Sequence, residues 1–329
     1  MWNLTASEIA YQESHIGDNA KLAIVVPTAV MIAAAYAAVL LRFVSRRLSR
    51  TALKADDWSV VTGLVLTTFV VMVYYVSLGN AMGRHFILVR SRKEFILTEV
   101  TFASLYILAI TFVKLSVLFL YRRLFPPCWF QYALIGTGAG LCIYCTSFII
   151  VGILQCVPID SFWESNVEGK CIKYGVLSLT GGIINVVTDV VILTLPMPLL
   201  WRLNVSKREK WQVILAFLMG GIAIIISIVR SFYLIRVGSH DPTWNDVAPA
   251  TWSIVECCVG ILSACLPLYR PLYTHLYHRN SSRCTSISNN KTTPLPSYVA
   301  SGGQFQAPAP FYLQGSKVNQ CWLDLGSEN

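Results

Sequence analysis

Five ionisable residues lie within long apolar stretches of this chain, where a charge is costly unless it has a partner or a function. They are Glu99, Lys114, Asp189, Arg230 and Glu256. Asn185 precedes Asp189 by four residues, which places both side chains on one face of a helix. These polar side chains are the candidates for ligand or proton binding inside a membrane.

The composition indicates an integral membrane protein. Of the 329 residues, 55% are hydrophobic and 13% are charged, and the mean hydropathy is +0.57. Soluble domains carry about 25% charged residues. A disordered chain, a fibrous repeat and an ordinary cytosolic enzyme are therefore excluded. The net charge of +9 does not indicate nucleic-acid binding, because the basic residues fall in short clusters between apolar stretches.

Seven apolar stretches reach the length of about 20 residues that a helix needs to cross a bilayer. Over such lengths only helices satisfy their own backbone groups in lipid. The predicted fold class is therefore all-α, a seven-helix transmembrane bundle in contact with the lipid bilayer. The predicted spans are Leu22–Leu41, Trp58–Leu78, Phe95–Tyr121, Trp129–Leu154, Tyr174–Leu200, Trp211–Ile235 and Pro249–Tyr269.

The distribution of Lys and Arg predicts the orientation. The first, third and fifth connectors and the C-terminal tail together carry twice as many of these residues as the opposite side. The predicted domains are an extracellular N-terminus (1–21), a rhodopsin-like seven-helix domain (22–277) and a disordered cytosolic tail (278–329), which is rich in Ser, Asn, Thr and Pro. Residues 1–21 contain no apolar signal-peptide core, so the first helix is predicted to act as an uncleaved signal anchor.

The estimated depths in the membrane divide the intramembrane polar residues into two groups, the first of which lies at or below the midplane. Counting from the predicted cytosolic helix ends places Asp189 and Glu256 about 18 and 21 Å deep, near the midplane. Lys114 lies at about 10 Å and can extend toward Asp189 along its flexible stem. One hypothesis is a hydrated pocket of Lys114, Asn185, Asp189 and Glu256. The alternative is that these groups join helices through hydrogen bonds worth about 0.6 to 2 kcal/mol each.

Glu99 and Arg230 form a second group near the outer surface. Their predicted depths are about 33 and 30 Å from the cytosolic helix ends. Because they carry opposite charges at one level, we expect an ion pair between the third and sixth helices.

The fourth connector contains Cys156 and Cys171, which the predicted topology places in an oxidising space. A disulfide between them is predicted, and two free thiols are the alternative. Four glycosylation sequons occur, at Asn3, Asn204, Asn280 and Asn290, and Asn3 alone lies on the predicted outer side. Glycosylation is therefore predicted at Asn3.

Motifs for catalysis and cofactor binding are missing from the sequence. None of the five histidines falls within a predicted span, and H-E-x-x-H, G-x-S-x-G and P-loop motifs do not occur. No cysteine pattern provides two halves of a metal site. The seventh span has no lysine for a retinal Schiff base, and Lys114 belongs to the third. We therefore expect no enzyme activity, no metal and no retinal.

Several motifs together resemble those of fungal rhodopsin-domain integral membrane proteins, a group that includes satratoxin-cluster-type membrane proteins and relatives of fungal plasma-membrane receptors. The resemblance runs from about residue 22 to about residue 277. It implies seven helices and a cytosolic tail, and it implies that Asp56, Asp57, Lys114, Asp189, Arg230 and Glu256 are family features. The matching motifs include Leu41-Arg42-Phe43, Ala55-Asp56-Asp57-Trp58, Lys114-Leu115-Ser116, Tyr121-Arg122-Arg123, Gln155-Cys156-Val157-Pro158, Leu195-Pro196-Met197-Pro198, Ile228-Val229-Arg230 and Trp252-Ser253-Ile254-Val255-Glu256.

The leading functional hypothesis is a receptor-like protein or sensor of a fungal membrane, either plasma membrane or endomembrane, belonging to a secondary-metabolite gene cluster. A small apolar ligand would enter the bundle, and the basic fifth connector and the tail would contact a cytosolic signalling partner. One alternative is a transporter or an accessory of metabolite export, because two carboxylates at the midplane would suit proton coupling. A membrane enzyme is the other alternative.

Overall fold

A computed structural model describes residues 21–79, 82–83, 91–125, 127–158, 161, 169–172, 174–202, 207–235 and 242–269. The predictions for Asn3, for most of the N-terminal segment and for the tail lie outside these residues. Within them, seven helices are long and apolar enough to cross a membrane. The predicted all-α bundle of seven spans is therefore confirmed, and the protein is a multi-pass membrane protein.

The spanning helices begin at or before the first residue of the apolar stretches that predicted them, but the helices Tyr174–Thr194 and Val247–Cys265 end earlier than predicted. The third spanning helix, α3 (Arg92–Leu124), begins three residues before its predicted span, where the Ser91 side chain accepts a hydrogen bond from the backbone N–H of Glu94. Short helices cover Met197–Arg202 and Pro242–Asn245, and a 3₁₀ turn covers Leu266–Tyr269. The spanning helices are α1 (Lys21–Leu48), α2 (Ala55–Gly79), α3 (Arg92–Leu124), α4 (Cys128–Ile153), α5 (Tyr174–Thr194), α6 (Lys207–Leu234) and α7 (Val247–Cys265).

Helices α3 and α7 form the centre of the bundle. α3 packs against α2, α4 and α7, while α7 also contacts α1, α2 and α6, and α5 packs against α6. Gly260 of α7 allows a close approach to α3, since a Cβ there would lie 2.7 Å from Val113. Small residues at such contacts are the usual way in which membrane helices pack closely. The outer helices expose apolar side chains such as Ile143, Val187 and Ile225, which suits a lipid environment.

A short β-hairpin lies in the connector between α4 and α5. Its strands, Cys156–Val157 and Lys170–Cys171, pair antiparallel with Cys156 opposite Cys171, and a disulfide joins these two residues. Cys156 is buried against Ile96 of α3, and Val100 packs on the same cluster. The disulfide therefore holds this connector against the first turns of α3.

Candidate functional site

Lys114 is buried in α3 and contacts four acceptor atoms on α5. Its Nζ donates hydrogen bonds to the backbone oxygen of Asn185 at 3.0 Å, to the Asn185 Oδ1 at 2.8 Å and to the Thr188 hydroxyl at 2.7 Å. It also forms an ion pair with Asp189, at 2.9 Å from Oδ1. Lys114 therefore links α3 to α5 and does not extend toward the helix end.

Glu256 of α7 is the point at which four helices meet. Its Oε1 accepts hydrogen bonds from the Asn185 amide at 2.5 Å and from the Ser227 hydroxyl at 2.7 Å. Its Oε2 accepts one from the Tyr106 hydroxyl at 2.9 Å and lies 3.7 Å from the Arg230 Nε. These partners belong to α5, α6 and α3, so the carboxylate of one α7 residue fixes all three neighbours.

Ser227 joins the two acidic residues into one network, because its hydroxyl also lies 2.8 Å from the Asp189 Oδ2. Two acids and two bases share the network, so its formal charges balance. Such pairing removes most of the cost of holding charges away from water. We call this set the midmembrane network; it comprises Tyr106, Lys114, Asn185, Thr188, Asp189, Ser227, Arg230 and Glu256.

The structure brings together all four residues of the predicted pocket, but it does not pair Glu99 with Arg230. The Arg230 guanidinium lies beside Glu256, 4.6 Å from the centre of the Tyr106 ring and 3.5 Å from the Ser253 hydroxyl. Within the described residues, no ion pair joins Glu99 to Arg230.

The expected outer ion pair was wrong for a geometric reason. Side chains on a helix tilt toward its N-terminus. α3 and α6 run in opposite directions, so at equal Cα depth Glu99 points toward the end of the bundle where α3 begins, and Arg230 points toward the middle of the bundle. Both side chains nevertheless line one cavity.

This cavity lies where α3 begins and α6 ends, and its volume is about 80 Å³. We call it the outer cavity, after the predicted orientation. A neighbouring cavity of about 30 Å³ shares Ala103, Ile107, Phe148, Tyr174 and Ser178 with it. A deeper cavity of about 60 Å³ lies on the other side of the network, lined by Lys114, Asp189 and Glu256 among others. The network thus separates an outer from an inner cavity. Other residues lining the outer cavity include Glu99, Phe102, Tyr106, Tyr144, Arg230 and Asp246.

A second buried ion-pair cluster, at the opposite end of the bundle, was not predicted. Arg42 contacts Asp56 and Asp57 at 2.8 Å each, and its Nη1 donates to the backbone oxygen of Ala264 at 2.8 Å. Arg46 lies 2.6 Å from Asp56. These arginines entered the topology prediction alone, although two arginines one turn apart, followed across a short connector by consecutive aspartates, already indicated a pairing.

Among the residues that the structure describes, no group of three or more His, Cys, Asp or Glu side chains is arranged to hold a metal ion. A family model described as the fungal rhodopsin domain matches residues 41–275. The chain belongs to the fungal rhodopsin domain family. This confirms the resemblance inferred from the motifs, and the matched range includes the midmembrane network and the ion-pair cluster of Arg42, Arg46, Asp56 and Asp57.

Proteins with related sequences have varied names. The polyenoic acids biosynthesis gene cluster protein Ba17b of Metarhizium anisopliae is 30% identical over 81% of this chain and 77% of its own length. The satratoxin biosynthesis SC1 cluster protein 4 of Stachybotrys chartarum is 27% identical over 51% of this chain and 62% of its own. Receptor GIN3 of Arthrobotrys oligospora is 25% identical over 82% of this chain and 67% of its own.

A further relative, the SAT4 family membrane protein of Emericella nidulans, is 30% identical, and the match spans about half the length of each chain, 57% of this one and 48% of its own. No solved structure matches this chain.

Proposed function

We propose that this chain is a receptor-like sensor of a fungal membrane, whose ligand enters the outer cavity and acts through the midmembrane network. The observation that carries this proposal is the position of Arg230 and Tyr106. Both line the outer cavity, and both contact Glu256. A ligand at the outer end can therefore change the contacts of a carboxylate that joins four helices.

The weakest contact of the network faces this cavity. Arg230 and Glu256 are 3.7 Å apart, whereas Lys114 and Asp189 are 2.9 Å apart. A ligand shifts a conformational equilibrium only as far as it binds one state better than the other. A ligand that moves Arg230 away from Glu256 would favour a state in which α6 and α7 are less tightly joined.

The names of the relatives support this function. One is called a receptor, and others are called biosynthesis cluster proteins. We also propose that the gene lies within a secondary-metabolite cluster and that the ligand is a metabolite. The N-terminus would face outside, and the end that contains Arg42 and Asp56 would face the cytosol, where a signalling partner would bind.

The proposal includes neither retinal nor an enzymatic reaction. A Schiff base needs a free lysine amine beside room for a long polyene, and the Lys114 amine is bound by three residues of α5. The inner cavity beside it holds about 60 Å³, well below the roughly 300 to 1,000 Å³ of pockets for drug-sized ligands. The bound amine and the small cavity support a function without retinal.

Transport is the second candidate, because the inner cavity exposes Asp189 and Glu256, two carboxylates that could exchange a proton. A flux assay in proteoliposomes separates the two functions. Uptake of a cluster metabolite driven by a proton gradient, and abolished by Glu256→Gln, would favour transport over sensing.

The sensor proposal is tested in a fungal host that lacks the gene and carries either the wild-type chain, Glu256→Gln or the control Glu94→Gln, which changes an exposed acid of α3. The transcriptional response to a lipophilic extract of the culture is then compared at equal membrane abundance. We expect a response with wild type and the control and none with Glu256→Gln. A response that does not require the gene would contradict the proposal.

A further inference from the structure

Glu99 is a buried carboxylate that the midmembrane network does not use. Its exposed fraction is 8%, and it lines the outer cavity. Within the described residues, no hydrogen-bond donor and no cation pairs with its side chain. A charge held in a bundle without a partner is costly, and such residues mark binding sites.

The charges of the residues around the cavity indicate the sign of the charge that a partner of Glu99 would carry. The one described base that lines it is Arg230, which faces Glu256, and the deeper pair Lys114–Asp189 is complete. Two described acids line the cavity, Glu99 and Asp246. Asp246 has interactions of its own, whereas these pairs leave the charge of Glu99 without compensation. A cation from outside the chain would balance it.

The walls of the cavity suit an organic cation. Phe102, Tyr106 and Tyr174 contribute aromatic rings, and aromatic faces attract ammonium groups. Tyr106 already carries the Arg230 guanidinium over its ring at 4.6 Å from the centre, so this wall binds one cation in the structure as it stands. A hydrated metal ion would gain little from such walls.

Gln155 provides an independent observation. It is 4% exposed, it lines the neighbouring cavity, and its side-chain oxygen is a buried acceptor with no donor among the described residues. Its amide group donates to the backbone oxygen of Gly152 at 2.9 Å, which leaves the oxygen available. A ligand that fills both cavities therefore needs hydrogen-bond donors at both.

We propose that the outer cavity binds the ammonium group of an amine through Glu99, with the aromatic rings around its first carbons. This deepens the sensor function proposed above by naming the chemical class of its ligand. The cavity of about 80 Å³ takes a head group and a few carbons, since it is about half the volume of a cavity known to bind benzene, about 150 Å³. The remainder of the ligand would lie in the open side of the cavity.

Binding of phenethylamine to the full chain in phosphatidylcholine nanodiscs tests this site, with empty nanodiscs as the blank and 2-phenylethanol as the uncharged competitor. We compare wild type, Glu99→Gln and the control Glu94→Gln, which removes an exposed acid from the same helix. We expect saturable binding that weakens at least about tenfold in Glu99→Gln and is unchanged in the control, because a charge-assisted hydrogen bond is lost. The alcohol should compete at least about tenfold more weakly than the amine.

Equal binding to Glu99→Gln, equal competition by the alcohol, or no saturable binding up to about 10 mM would each overturn the site. The alcohol comparison uses wild-type protein, so it decides even if the variant misfolds. Competition by phosphatidylethanolamine added to the nanodiscs would assign the ammonium group to a lipid head group, and lack of competition to a free amine; both support the site. If phenethylamine does not bind, the amine site is rejected, and the sensor function remains possible with another ligand. If the amine binds but the fungal host shows no transcriptional response, sensing is rejected and the amine site remains.

Discussion

The pair formed by Lys114 and Asp189 gives the sharpest test of the midmembrane network. Replacing Lys114 by Met keeps most of the side-chain volume but removes three hydrogen bonds and an ion pair. Hydrogen bonds between membrane helices average about 0.6 kcal/mol, so the three account for about 2 kcal/mol. Leaving the Asp189 charge buried without its partner brings the expected loss of stability to about 3 to 5 kcal/mol.

Asp189→Asn alone should cost less, about 2 kcal/mol, since the asparagine oxygen can still accept a hydrogen bond from the Lys114 ammonium group. The double variant should cost about as much as Lys114→Met alone. It adds the loss of the Asp189 carboxylate contacts, but it no longer holds an unpaired buried charge. The expected coupling energy is therefore about 2 kcal/mol, within the range for residues in contact.

Unfolding free energies from SDS titration in mixed micelles measure all four corners of this cycle. Lys93→Met serves as the matched control, because Lys93 is exposed on the same helix, and it should change stability by less than about 0.5 kcal/mol. Additive single effects, with a coupling energy below about 0.5 kcal/mol, would refute the interpretation of the network as a set of linked ion pairs.

Three further predictions concern the rest of the bundle. Arg42→Ala should destabilise the protein by about 3 kcal/mol, because it removes two ion pairs and leaves Arg46 as the remaining partner of two buried aspartates, while the exposed Arg47→Ala should cost under about 0.5 kcal/mol in the same titration. Gly181→Ala would force a Cβ into the ring of Phe148 and should lower the melting temperature, whereas Gly136→Ala, with open space around it, should raise it slightly. Reducing the connector disulfide, which joins residues 15 apart, should lower stability by about 3 kcal/mol; an unchanged melting temperature in dithiothreitol would contradict this.

The sequence predicted the number of spans because apolar length is a local property that the bilayer thickness fixes. It also predicted which polar residues of α3, α5 and α7 lie together, since depth follows from counting residues along each helix. Ser227 and Tyr106 were missed, because hydroxyl groups carry no charge that marks them as costly in a membrane.

The failures have equally physical causes. Depth alone could not pair Glu99 with Arg230, because it ignores the direction in which each side chain tilts on antiparallel helices. The cluster of Arg42 and Asp56 was hidden because basic residues at helix ends were counted as topology signals. The two-residue strands at Cys156 and Cys171 are too short to show any alternation of apolar and polar residues.

Hydrogen–deuterium exchange in nanodiscs tests the central claim most directly, with the outer cavity saturated by phenethylamine or left empty. A signal that passes through Glu256 should change the exchange of peptides at the far ends of α5 and α6, beyond the network, in wild-type protein. The same peptides should not respond in Glu256→Gln, although the cavity still binds. Changes confined to the residues around the cavity, or identical far-end changes in both proteins, would contradict the account.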